Sequence, residues 1–173
     1  AKNGSDVTTL TNGGANGKHP DTPFITVAKA LSLATSGDTI NVGAGTFQEI
    51  FPLTVPDGVT LRGANLRSTQ IYPTSGTNDL NAFILEGDSH ISDLTVKDFF
   101  YNSGNDTGYG FVCASSLNSD RSPYVERVTV LTKGSVTSAS DPYGFSQGDA
   151  GRGAKLDGAQ FSASGIEAAI LFN

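Results

Sequence analysis

The chain has 173 residues, 37% of them apolar and 16% charged, with a formal net charge of −6. That length suits one domain, the apolar content is too high for a disordered chain, and no apolar run is long enough for a membrane-spanning helix. One Cys allows no internal disulfide, two His add too few ligands for a Cys/His zinc site, and an acidic balance without Lys/Arg clusters argues against nucleic acid.

Residues 1–22 read as an irregular lead-in, with Asn12-Gly13-Gly14 as turn material. A helix is predicted over 23–36. Thr22 is its N-cap, Pro23 takes the first helical position, and Gly37 stops it. Phe24, Val27, Ala28, Leu31 and Ala34 share one face of that helix.

After Gly37 the apolar period changes to two. Short alternating runs follow at Thr39-Ile40-Asn41-Val42, Leu53-Thr54-Val55 and Val59-Thr60-Leu61, which suits an all-β architecture. The triplet recurs as Leu94-Thr95-Val96, Val128-Thr129-Val130 and Ala159-Gln160-Phe161, with Ile91, Val125 and Leu156 each three places upstream of the later copies. A repeat of this length signals a solenoid whose turns bury their apolar faces only against each other. The alignment predicts inward columns Leu61–Val96–Val130–Phe161 and Val59–Leu94–Val128–Ala159, and an outward ladder of Thr60, Thr95 and Thr129. The helix would cap the open apolar end of the first turn. The apolar run 166–172 has no such cap, so the chain is expected to continue past Asn173 or to meet a partner there. The absence of Met likewise suits a processed or trimmed chain. The expected organisation is lead-in 1–22, capping helix 23–36 and solenoid 37–173.

Two resemblances sharpen this. Pro23-Phe24, Ala30-Leu31, Gly37-Asp38-Thr39-Ile40, Gly45-Thr46-Phe47 and Gly58-Val59-Thr60-Leu61-Arg62-Gly63 resemble the start of right-handed parallel β-helix proteins of the pectin-lyase-like superfamily. That fold hosts lyases, hydrolases, epimerases and virion proteins, so it says little about function. Residues 148–172, GDAGRGAKLDGAQFSASGIEAAILF, look like tail and fibre proteins of contractile-tailed phages that infect marine cyanobacteria. This second resemblance implies a virion structural protein in an extracellular particle. Its expected partners are copies of itself, as a homotrimer, other tail proteins, and host surface polysaccharide.

The alternative on this fold is a polysaccharide lyase or glycoside hydrolase. The alignment stacks Ser92, Glu126 and Asp157 in one column and Asp93 beside Arg127 in the next, which makes Glu126 and Asp157 the candidate carboxylate pair. The plainer reading is a row of solvated turn residues, with Arg127 neutralising Asp93 or Glu126. Asn102, Asn105, Asp106, Asp141 and Asp149 offer oxygen ligands, but at no calcium-loop spacing, so no metal or cofactor is expected.

Two long segments, 98–110 and 134–153, carry Phe99, Phe100, Tyr101, Tyr109, Tyr143 and Phe145 as candidates for subunit contact or sugar stacking in a non-catalytic glycan-binding module. Packing on the solenoid flank is the competing reading for the Phe residues. Cys113 is expected to be a buried, inert thiol, and His19 and His90 surface residues.

Overall fold

The computed structural model describes residues 4–6, 17–19, 21–99, 107–113 and 122–132, and the backbone of 154–156. Among the described residues one helix, α1 (Val27–Leu33), precedes ten strands: β1 (Thr39–Val42), β2 (Gly45–Glu49), β3 (Leu53–Val55), β4 (Thr60–Gly63), β5 (Thr69–Pro73), β6 (Phe83–Leu85), β7 (His90–Phe99), β8 (Phe111–Cys113), β9 (Tyr124–Thr132) and β10 (Ala154–Leu156). Every strand pairing is parallel.

The strands alternate between two sheets as the chain advances. The larger sheet holds β1, β2, β4, β5, β7 and β9, and the second holds β3, β6, β8 and β10. Each pass therefore lays one pair of segments on the first sheet and one strand on the second. The core lies between them, where Leu61, Ile71, Ile91, Leu94 and Val96 from one sheet meet Leu53, Val55, Phe83, Leu85 and Phe111 from the other. The sequence alternation explains this, since residues two apart share a face. In β3, Leu53 and Val55 are buried while Thr54 is exposed. Each fully buried large side chain contributes roughly 1.5–3 kcal/mol. Phe83 stacks on its register partner Phe111, with ring centroids 5.7 Å apart and 17° between planes.

The large sheet bends sharply between its two halves, and the bend is made differently in successive passes. Between β4 and β5 a loop over residues 64–68 intervenes. In β7 one residue makes the corner: Asp93 has φ 59°, and in β9 Arg127 does the same with φ 47°. This explains where the sequence alignment fails. Thr60 pairs with His90 and Leu61 with Ile91, rather than with Thr95 and Val96. The loop lengthens the early pass, so the triplet at 59–61 belongs to the first half of the sheet and that at 94–96 to the second. The pairings Ile91 with Val125, Leu94 with Val128 and Val96 with Val130 are as aligned. The inward columns are Ile40–Leu61–Ile91–Val125 and Phe47–Ile71–Val96–Val130.

The Thr ladder is corrected with them. Thr95 does pair with Thr129, but Thr60 lies on another column, and the loop covers Thr95, whose hydroxyl donates to the Leu66 carbonyl at 2.6 Å. A different ladder ties the passes at a turn: Asp57 Oδ1 accepts from Asp88 N–H at 2.9 Å, and Asp88 Oδ1 from Ser122 N–H at 3.1 Å.

The helix is shorter than predicted, and starts later. Its N-cap is Thr26, which accepts from Lys29 N–H, rather than Thr22. The reason is a competing set of partners. Asp6 takes the Ile25 and Thr26 N–H groups, fixing that stretch as extended chain. Val27 and Leu31 are buried and Ala28 and Ala34 pack against the same core, so the apolar stripe was read correctly. The helix lies against β1, β2 and β3, over the first pass.

Candidate functional site

The outer face of the large sheet's first half carries two columns, Thr39–Thr60–His90–Tyr124 and Asn41–Arg62–Ser92–Glu126. Glu126, the sequence candidate, stands at the end of the second column, directly in register with Ser92. Its Oε2 lies 2.6 Å from Arg127 Nη1, and its Oε1 is 3.5 Å from His90 Nε2.

Arg127 is a fork shared by two carboxylates. Its Nε and Nη2 donate to the two oxygens of Asp93 at 2.6 and 2.9 Å, a bidentate pair. The pairing is set by the corner, because the two left-handed residues sit one above the other in adjacent passes. Its main hydrogen bond from Arg127 holds the Asp93 carboxyl below the usual carboxylate range, and the same contacts raise the Arg127 guanidinium further above its ordinary value. Two passes earlier, Arg62 donates through Nε and Nη2 to Asn41 Oδ1 at 3.2 and 2.8 Å. The sequence reading had Arg127 neutralise Asp93 or Glu126; the guanidinium contacts both.

Ser92 is 1% exposed, and its hydroxyl bonds to Asp93, so it offers no accessible nucleophile. Asp157, the proposed partner of Glu126, lies outside the described residues. Leu156 pairs with Cys113 in the second sheet, however, and does not stack on Val125 as the alignment had it.

Of the aromatic candidates, Phe99 is fully buried and meets Phe51 edge-on at 6.4 Å, and Tyr109 is also buried. Phe99 belongs to the core itself rather than to the solenoid flank, where the packing alternative for the Phe residues had put it. Phe100, Tyr101, Tyr143 and Phe145, with Asn102, Asn105, Asp106, Asp141 and Asp149, lie outside the described residues.

The exposed aromatic of this face is one the sequence reading passed over. Tyr124 is 58% exposed, and its ring centroid is 5.1 Å from that of His90. The alternation signal was present, since counting back from inward Val125 places Tyr124 outward. His90 is correspondingly not a bare surface residue but a member of this cluster. Leu131, also on β9, is a second exposed apolar residue. Cys113 is half-buried, and burial pushes its thiol up to about 11. Among the described residues no group of three or more His, Cys, Asp or Glu side chains could hold a metal ion. Also among them, no helix is long and apolar enough to cross a membrane.

The model of the family described as "Protein of unknown function (DUF1565)" matches residues 9–97, just over half the chain. No curated protein matches, and no solved structure does.

Proposed function

We propose, given that the chain belongs to the DUF1565 family of proteins of unknown function, that its two parallel sheets form a right-handed β-helix serving as a structural part of a phage tail. The strict alternation of strands between two all-parallel sheets, with α1 over the first pass, supports the solenoid. The likeness of residues 148–172 to phage tail proteins supports the setting: a fibre, spike or baseplate component that trimerises and helps to hold the particle to its host.

The observation that carries a structural rather than catalytic reading is the Arg127 fork. Both Asp93 oxygens and one Glu126 oxygen are engaged by a single guanidinium. With Oε2 held by Arg127, only Oε1 of Glu126 stays outside the fork for any reaction. The Asp93–Arg127 pair instead ties β7 to β9, one pass to the next.

The test is mass spectrometry of purified particles of the phage that encodes the chain, with a polysaccharide-cleavage assay alongside. The chain should be found in the particle, and Glu126→Gln should leave any cleavage by it unchanged. A chain absent from the particle, with Glu126-dependent release of reducing or unsaturated sugar ends, would establish the enzyme instead. A second reading, a non-catalytic glycan binder, is favoured by one observation, the exposed Tyr124 ring beside His90. Tyr124→Ala should then abolish glycan retention without changing the melting temperature.

A further inference from the structure

Glu49, at the end of β2, is only 2% exposed although it is ionisable. Its Oε1 accepts the Val27 N–H at 2.6 Å and its Oε2 the Ala28 N–H at 3.2 Å, so it holds the first two residues of α1. A second carboxylate converges on the same helix start. Asp6 Oδ1 accepts the Ile25 and Thr26 N–H groups at 2.9 and 3.1 Å, and its Oδ2 accepts the Thr26 hydroxyl at 2.6 Å. Among the described residues, no Lys, Arg or His forms an ion pair with Glu49. Among the described residues, the charged group acting on it is Asp6 from the lead-in.

What Glu49 holds is small. The helix has seven residues and buries only Val27 and Leu31. Its grip on the first pass thus rests on Val27 and Leu31, the small side chains of Ala28 and Ala34 beside them, and a handful of hydrogen bonds to carboxylates, and the low-stability elements of a fold are of this kind.

We propose that α1 is a proton-controlled lid on the first pass, with Glu49 as the group that sets how tightly it closes. An ionised carboxylate removed from water is unfavourable unless its partners compensate fully. Here two N–H donors act against burial and against the Asp6 charge. Burial is the largest influence and pushes the Glu49 carboxyl above its ordinary value; the two N–H bonds oppose it, and Asp6 adds to it. The closed form therefore binds the Glu49 proton more tightly than the open form. Its contribution to closure is complete below the ordinary Glu range and is lost as pH rises through the higher value of the closed form. Acid closes the lid and neutrality loosens it, baring the end of the core at Val42 and Leu53.

Amide hydrogen exchange followed by NMR tests this on the whole chain, with rates corrected for the intrinsic effect of pH and with Ile91 and Val125 as internal references. Protection at Val27, Ala28 and Lys29 should fall between pH 4 and 7.5 in the native sequence and stay level in Glu49→Gln. The ratio between the two proteins should widen with pH. Equal slopes in both proteins, or native protection that rises with pH, would overturn the proposal. If Glu49→Gln does not fold, Asp6→Asn serves in its place. Removal of the neighbouring charge should flatten the slope in part, and an unchanged slope there counts against the lid.

Discussion

Gly63 provides a sharp test of the corner. It ends β4 and has no left-handed φ, so its need for a missing side chain is not conformational. The need comes from the next pass. A Cβ at Gly63 would run into the Asp93 carbonyl oxygen, with the Asp93 carbonyl carbon at 2.9 Å and Leu94 Cβ at 3.0 Å. Asp93 is the left-handed corner residue, and its backbone turns its carbonyl toward β4. Since the obstructing atoms are backbone, no rotamer change relieves the clash. Overpacking of this kind costs typically 1–3 kcal/mol, and the backbone contact places Gly63→Ala at about 2 kcal/mol or more. For a domain of this size that lowers the melting temperature by roughly 4–8 °C. Gly43→Ala is the matched control, because nothing lies within 4 Å of its added Cβ. That substitution should shift stability by less than about 1 kcal/mol. Urea unfolding of the three proteins, read by circular dichroism, gives the comparison. If both substitutions fall within about 0.5 kcal/mol of the native chain, the packing of Asp93 on β4 is not as described.

Other outcomes follow from the same geometry. Ser89 is fully buried and its hydroxyl has no hydrogen-bond partner among the described residues, so Ser89→Ala should leave stability level or raise it by up to about 1 kcal/mol in urea titration. A clear loss would mean that the hydroxyl is satisfied. The lowered Asp93 carboxyl contributes stability above the ordinary carboxylate range, and that stability disappears as pH falls through the lower folded value. Melting curves from pH 6 to pH 2 should therefore fall less steeply for Asp93→Asn than for the native chain. Cys113, with its thiol raised to about 11, should react with iodoacetamide at pH 8 far more slowly folded than in urea, and equal rates would refute the burial argument.

The mostly β character and the single short helix were legible because period-two alternation and a 3.6-residue apolar stripe are backbone-scale signals. Leu94-Thr95-Val96 and Val128-Thr129-Val130 pair in register as aligned. The failure at Val59-Thr60-Leu61 has a specific cause. The same apolar-Thr-apolar triplet falls on the first half of the sheet at 59–61 and on the second at 94–96 and 128–130, because the five-residue loop between β4 and β5 is replaced by a one-residue corner at Asp93. A left-handed φ at Asp or Arg leaves no composition mark as a glycine would. The helix start was misplaced for a different reason: Thr22-Pro23 is a sound local signal, but Asp6, twenty positions from Thr26, captured the amides that would have begun the helix there. The candidate site was legible in part. Arg127 between Asp93 and Glu126 follows from the β7–β9 alignment, whereas His90 and Tyr124 required the register of the first half of the sheet.

The central claim, a structural solenoid that works as copies of itself, is met most directly by sedimentation equilibrium of the full chain at micromolar concentration. The account requires a species of three times the 17.9 kDa chain mass. It also requires that this species weaken when the exposed Tyr124 and Leu131 are changed to Ser. A monomer that persists across the concentration range would contradict it.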